Sequence, residues 1–300
     1  MRIADLLAAG RPTVSFEFFP PKTPEGEAAL LRTVDELRAL RPSFVSVTRT
    51  GGKPREATID LVARLGALGI TGAAHVTAVE ATRDDIRTAL ELVAARGIEN
   101  LVVLRGDVPK DPGFRRPADG FRFAADLVHF VRERAPSLCL AGACHPEGHP
   151  ETRDLPLEVE HLRAKVDAGL DLVITNMFYV NAYYFAFVER IRRAGVGVPV
   201  VAGLMPITNL AQIRRMAELC GAEFPDALRA RLEQFRDDPA SSLAVAVEWT
   251  TTQATELLRG GAPGIHFYTL NQSPAARAIF ENLRRDGLVA SELAASSNAG

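Results

Sequence analysis

Eight short apolar or β-branched runs alternate with longer amphipathic stretches along this 300-residue chain, and that alternation constrains the fold more than any single motif. The runs are Val14 to Phe19, Phe44 to Thr48, Gly72 to Thr77, Asn100 to Arg105, Leu138 to Cys144, Asp171 to Phe178, Val198 to Leu204 and Ile265 to Leu270. Between them, Glu25 to Leu40, Arg83 to Arg96, Phe121 to Arg134, Asn181 to Ala194 and Ser241 to Arg259 place apolar residues at helical spacing. Repeated βα units build a parallel sheet, and eight of them close on themselves, so the expected fold is α/β, a (β/α)8 TIM barrel. Gly97, Gly169 and Gly195 end helical patterns and precede strands, where the chain turns back through a left-handed residue. The segment from Phe224 to Pro239 fits no strand and predicts an extra helical excursion between the seventh and eighth strands. Residues 1–290 are expected to form the barrel, and the small, polar residues 291–300 a frayed tail.

Charge and cysteine usage narrow the function. The formal net charge is −2, with no basic stripe to neutralise a run of phosphates, so nucleic acid and anionic membrane are not expected partners. No stretch approaches the ~20 apolar residues of a membrane span. Cys139, Cys144 and Cys220 are odd in number and form no C-x-x-C pair, which points to a reduced, cytoplasmic setting.

Barrel active sites lie at the C-terminal ends of the strands, which selects Glu17, Thr48, His75, Arg105, Asp107, His145, His149, Asn176 and Tyr268. Alternation along the first strand sends Phe16 and Phe18 toward the helices and Ser15, Glu17 and Phe19 toward the axis. A carboxyl among phenylalanines is poorly solvated, so the expectation is a raised pKa and a general acid. The alternative is a structural carboxylate paired with Arg105 or Lys165. Pro20-Pro21 ends the strand immediately after. Leu104-Arg105-Gly106-Asp107 closes the fourth strand, where Gly106 lets backbone approach a flat ligand and Asp107 adds negative charge; the alternative is an Arg–Asp pair or a helix cap. The stretch from Cys144 to Glu151 concentrates metal-ligand types, but Pro146, Gly148 and Pro150 preclude helical presentation of both histidines, and no metal centre is expected. Neither Gly51-Gly52 nor Gly260-Gly261 belongs to a phosphate-loop motif, so a dinucleotide would be held by loop amides, helix N-termini, Lys165 or Arg105. His75 reads equally as a ligand contact or a satisfied lumen histidine. His129, Trp249, Phe121 and Phe123 read as packing residues.

Five motifs occurring in order, Phe16-Glu17-Phe18-Phe19-Pro20-Pro21-Lys22, Leu104-Arg105-Gly106-Asp107, Pro146-Glu147-Gly148-His149-Pro150-Glu151, Lys165-Val166-Asp167-Ala168-Gly169 and His266-Phe267-Tyr268-Thr269-Leu270-Asn271, resemble the bacterial methylenetetrahydrofolate reductases over about residues 10–285. The resemblance implies a homo-oligomeric barrel carrying FAD, which takes a hydride from NAD(P)H and delivers it to 5,10-methylenetetrahydrofolate. It implies that Glu17 assists opening of the folate imidazolidine ring to an iminium ion, and that Asp107 lies by flavin and pterin. It further implies that Thr48, His75, Arg105, Gly106, Ala124, His145, His149, His161 and Lys165 contact FAD, and that Asn176, Gln212 and Tyr268 lie toward folate or nicotinamide.

Several positions depart from the family pattern. Thr48-Arg49-Thr50-Gly51-Gly52-Lys53-Pro54 replaces a T-Y-G-A-x-G-S-T loop, His145 stands at a common tyrosine and Asn176 at a glutamine. Met216 stands at a phenylalanine that stacks on substrate, and Gln272 at an Arg or Lys. These changes surround the substrate and leave open a family paralogue with another pterin or one-carbon substrate, or a flavin-binding regulator.

Overall fold

The computed structural model describes residues 1–21, 23–49, 54–109, 111–206, 210–272 and 274–290, without the side chains of residues 210–213. The expected tail at 291–300 and loop positions 50–53 lie outside the described residues.

In chain order the elements are α1 (Ile3–Ala8), β1 (Thr13–Phe18), α2 (Pro24–Arg38), β2 (Phe44–Val47), α3 (Arg55–Ala67), β3 (Gly72–Thr77), α4 (Arg83–Ala95) and β4 (Asn100–Leu104). They continue with α5 (Ala124–Arg134), β5 (Cys139–Cys144), α6 (Leu155–Asp167), β6 (Leu172–Thr175), α7 (Asn181–Arg193) and β7 (Val200–Leu204). The chain then runs through α8 (Leu210–Cys220), α9 (Asp226–Gln234), α10 (Pro239–Arg259), β8 (Gly264–Tyr268) and α11 (Pro274–Arg285). Each strand pairs in parallel with the next and β8 returns to β1, closing an eight-stranded barrel. The predicted excursion is α9, inserted between β7 and β8.

Every strand is short and buried on both faces, as parallel strands sheathed by helices must be. Outward-facing Phe16 and Phe18 pack with Leu30, Val34 and Leu37 of α2 in the layer between strands and helices. A second cluster fills the lower lumen, where Ile3 and Leu7 of α1 meet Phe44, Val102, Cys139 and Ile174 and plug the floor. The Ile3 N–H donates to Asn100 Oδ1 at 2.7 Å, so the plug buries no orphaned donor there.

Helix starts follow capping chemistry. Thr23, Thr82, Asp154 and Asp238 each accept from a first-turn N–H, and Thr82 with Asp85 forms a reciprocal capping box. Gly97 and Gly195 turn the chain back with φ of 64° and 81°. Packing differs from expectation at two aromatic positions. His129 is exposed on α5 beside Glu133, and Phe123, at the α5 N-cap, is 43% exposed, whereas Phe121 is buried against Phe130. Helical periodicity locates the apolar face of α5 but not residues at its edge and cap. Among the described residues no helix is long and apolar enough to cross a membrane.

Candidate active site

Strand register sets the centre of the barrel mouth. Glu17 aligns with Ser46 of β2 and Tyr268 of β8, and Ser15 aligns with His266, so these side chains share the lumen face. The backbone at Glu17 is pinned from β8. Thr269 Oγ1 donates to the Glu17 carbonyl at 2.7 Å, while Asn271 accepts from the Phe19 N–H at 3.0 Å and donates to the Phe19 carbonyl at 2.9 Å. Leu270 and Asn271 reach that position through left-handed backbone, with φ of 51° and 59°.

Around the Glu17 carboxylate stand Ser46 Oγ at 3.5 Å, His75 Nε2 at 3.4 Å and His266 Nε2 at 3.8 Å, all converging on Oε2. His266 is 1% exposed and held on two sides, with Nδ1 2.8 Å from Ser15 Oγ and Nε2 3.3 Å from Ser46 Oγ. Ser15 Oγ also lies 3.3 Å from the Ile265 carbonyl, to which it donates.

The predicted rise in the Glu17 pKa is corrected by this shell. Burial does push the carboxyl upward and is the largest single influence. The His266 contact, the two imidazoles and the Ser46 hydroxyl together outweigh it and hold Glu17 below the ordinary value of 4.5. The sequence showed the phenylalanines flanking Glu17 but not the three polar groups arriving from β2, β3 and β8. The alternative of a structural pair with Arg105 or Lys165 is also overturned. Arg105 is engaged bidentately by Glu151 at 2.9 and 2.6 Å, and Lys165 donates to the Ala143 carbonyl at 2.6 Å.

Beside this centre a cleft of about 700 Å3 runs over the ends of β2 to β5 toward α5 and α6, bringing together Thr48, Arg105, Gly106, Asp107, Ala124, His145, His149, His161 and Lys165. Its end over β4, β5 and α6 is rich in cations and imidazoles. Glu158, 3% exposed, accepts both the His145 N–H at 3.1 Å and Nδ1 at 3.0 Å, fixing that ring, and His145 meets His149 edge-on at 4.7 Å. Burial, then His145 and Arg105, hold His149 below its usual 6.5. Gly106, at φ 79°, contributes wall without a side chain; a Cβ there would stand 3.1 Å from both Thr77 and Val79. Exposed Phe123 lies 5.7 Å from the His161 ring at the far end. Arg49, the departure in the second loop, folds back to donate to Thr77 Oγ1 and Glu80 Oε2, each at 2.9 Å.

Three expected contacts stand apart from the cleft lining. His75, 6% exposed, sits in the lumen against Glu17, and among the described residues neither ring nitrogen has a hydrogen-bond partner. Asn176 Nδ2 donates to the Cys220 carbonyl at 3.1 Å, and Tyr268 Oη crosses the mouth to the Thr175 carbonyl at 2.7 Å. The Gln212 side chain lies outside the described residues. Met216 packs with Met177, Tyr179 and Met205 beneath the excursion. Sequence reasoning missed His266, Ser46 and Glu158. Alternation could have found His266, two residues before Tyr268 on one strand and so on the same face; Ser46 required the register and Glu158 the packing of α6.

A closed parallel barrel with a carboxylate at its mouth and an elongated, cation-bearing cleft beside it defines a (β/α)8 small-molecule enzyme architecture. The family model for methylenetetrahydrofolate reductase matches residues 2–284, and the chain belongs to that family. It is 34% identical to the 5,10-methylenetetrahydrofolate reductase of Salmonella typhimurium, over 91% of each chain. It is 32% identical to methylenetetrahydrofolate reductase (NADH) 1 of Arabidopsis thaliana, covering 94% of this chain but 50% of the relative. Among solved structures, a Clostridium thermocellum protein that binds two copies of 5-methyl-5,6,7,8-tetrahydrofolic acid superposes with a TM-score of 0.67 at 16% identity, over 95% of this chain and 99% of that one. At that identity the likeness is one of fold.

Proposed function

We propose that this protein reduces 5,10-methylenetetrahydrofolate to 5-methyltetrahydrofolate with NAD(P)H as donor and FAD as its resident cofactor. The observation that carries the reading is the combination of Glu17, held at the barrel mouth by Thr269 after β8, with a long cleft over the ends of the neighbouring strands. That cleft suits a flavin dinucleotide. Its volume of about 700 Å3 lies in the range of cofactor pockets. Arg105, Lys165, His145 and His149 gather at one end, where a diphosphate needs them. Bound there, the flavin would supply the two-electron chemistry.

The chain's own residues do the rest. Arg105, His149 and Lys165 would hold the anionic part of the cofactor, with Thr48, Gly106, Asp107, Ala124 and His161 lining the rest of its cleft. Asn176 and Tyr268 border the substrate side, opposite the cofactor. Substrate laid over Glu17 excludes water, which favours the protonated carboxyl and works against the lowering by His266. Glu17 then gives its proton to the imidazolidine nitrogen whose bond to the bridging carbon breaks, leaving that carbon as the iminium that accepts hydride. Asp107 favours this cation electrostatically.

Anaerobic spectroscopy tests the reading. The purified protein should show a flavin spectrum that bleaches with NADH or NADPH and returns with methylenetetrahydrofolate. Bleaching with no folate-dependent return would overturn the substrate, and failure to bind FAD would overturn the whole proposal.

A further inference from the structure

The loop after β5 faces two ways. His145, His149 and Glu151 line the long cleft, whereas Glu147 and Arg153, interleaved with them in the chain, do not. Those two reach instead to the turn between α8 and α9. Glu147 Oε2 accepts the Glu223 N–H at 2.8 Å, and Arg153 Nη1 donates to the Gly221 carbonyl. Two further elements grip the same turn: Asn176 Nδ2, after β6, donates to the Cys220 carbonyl at 3.1 Å, and Tyr183 Oη of α7 donates to the Glu223 carboxylate. Backbone shape on both sides is fitted to the contact. Arg153 holds a left-handed φ of 54°, unfavourable for arginine, and Gly221, at φ 69°, leaves bare the spot where an added Cβ would stand 2.7 Å from Arg153 Cζ.

The loop is tied to itself as well. The Gly148 N–H donates to the His145 carbonyl at 3.0 Å, and the Thr152 and Arg153 N–H groups donate to the His149 carbonyl at 3.0 and 2.8 Å. On the other side of the turn, α8 backs the part of the mouth away from the cleft. Its Met216 and Ala217 share one apolar cluster with Met177, Met205 and Tyr268, and Tyr268 is the β8 partner of Glu17.

We propose that Glu147 and Arg153 are positioning residues for folate reduction, which lock the C-terminal end of α8 to the loop bordering the cofactor cleft and thereby set the substrate side of the mouth; this rests on the reductase reading for what occupies that mouth. Both residues bond to main chain, so they fix the turn itself and not a side chain that can swing away. Hydrogen bonds with one ionised partner are the stronger kind. The two also act on each other, since Arg153 opposes the rise that burial imposes on the Glu147 carboxyl. Met216 lies about one helical turn before the anchored end, so its height against Tyr268 follows the clasp. A displacement of about 1 Å at such a wall is enough to slow a reaction that depends on near-attack geometry.

The test compares Glu147→Ala, which removes the acceptor, with Glu147→Gln, which keeps an acceptor oxygen at the same length. Arg153→Asn tolerates the left-handed backbone but falls short of Gly221. FAD affinity, anaerobic flavin reduction by the nicotinamide, KM and kcat for methylenetetrahydrofolate, and amide hydrogen exchange over residues 217–223 are measured for each. FAD affinity and flavin reduction should stay within about two-fold of wild type throughout. Exchange across the turn should quicken about ten-fold or more in Glu147→Ala and Arg153→Asn with the strands unchanged, KM should rise at least about five-fold in both, and Glu147→Gln should return close to wild type. The double variant should fall well short of the product of the two single effects, because both act on one turn.

Quicker exchange with an unmoved KM would leave the clasp structural only and overturn the proposal. So would FAD affinity falling as far as KM rises, or Glu147→Gln impaired as deeply as Glu147→Ala. If Glu147→Ala does not fold, Tyr183→Phe, which removes only a hydroxyl holding Glu223, joins Arg153→Asn, and an unmoved KM in both would refute the role. Should wild type lack folate-dependent reoxidation, it is the reductase reading that fails and the role in folate reduction with it, while hydrogen exchange still reports whether Glu147 and Arg153 hold the turn.

Discussion

The Asn271 side chain closes a two-point hydrogen-bonded ring on Phe19, accepting its N–H at 3.0 Å and donating to its carbonyl at 2.9 Å. This joins the end of β8 to the residue that follows the β1 strand, two positions beyond Glu17, and fixes the height at which the carboxyl enters the mouth. Asn271 also holds a φ of 59°, which asparagine tolerates and alanine does not. Asn271→Ala should lose about 2 kcal/mol in urea denaturation, from two hydrogen bonds and the strained backbone. Asn271→Gly, free of the backbone strain, should lose less stability yet slow folate reduction equally; equal destabilisation of the two variants would remove the backbone part of the argument.

Glu17→Gln preserves shape and removes the acid. Folate-dependent reoxidation should fall by about 10² to 10⁴, while reduction of bound flavin by the nicotinamide stays near wild type. Both half-reactions slowing together in rapid-mixing measurements would return Glu17 to a structural role.

Buried His75 makes stability depend on pH. Its folded value of about 4 lies below the ordinary 6.5, so between these limits the unfolded chain binds a proton that the folded chain refuses. Stability is therefore retained above pH 6.5 and drains away as pH falls toward 4, by up to about 3 kcal/mol from this residue alone. Glu17, whose folded value is depressed, adds a loss of the same sign below its unfolded value of 4.5. Denaturation at pH 7, 5.5 and 4.5 should show a shallower decline in His75→Gln than in wild type; parallel curves would contradict the assignment.

Gly203 on β7 faces Tyr268 so closely that an added Cβ would stand 2.2 Å from the Thr175 carbonyl oxygen and 2.9 Å from the Tyr268 hydroxyl oxygen. Backbone cannot yield as a side-chain tip can, so Gly203→Ala should cost more than about 2 kcal/mol and break the Tyr268–Thr175 bond across the mouth. Gly197, where an added Cβ would meet nothing within 4 Å, is the control, and Gly197→Ala should change the melting temperature by no more than about a degree or two.

Local periodicity was enough to read the barrel, because burial on both strand faces and on one helix face writes itself into every segment. The strand from Gly72 to Thr77 coincides with its predicted run and β5 ends at Cys144 as expected, while the run Asp171 to Phe178 contracts to Leu172–Thr175. Apolar residues after β6 pack beneath the excursion instead of extending the sheet, as Met177 and Tyr179 do. The direction of Glu17 was equally legible, since two-residue alternation and Pro20-Pro21 depend only on neighbours in the chain.

What only the tertiary structure decided is the chemistry of that carboxyl. Phe16 and Phe18, adjacent in sequence, turn outward to α2, while the groups that set its proton affinity are Ser46, His75 and His266, brought from 29, 58 and 249 positions away by register and closure. The sequence by itself determined that an acid stands at the mouth of a parallel barrel. Whether that acid holds its proton is fixed by desolvation competing with hydrogen bonds and charge at a few ångströms, and distances of that kind exist only once β8 has closed on β1.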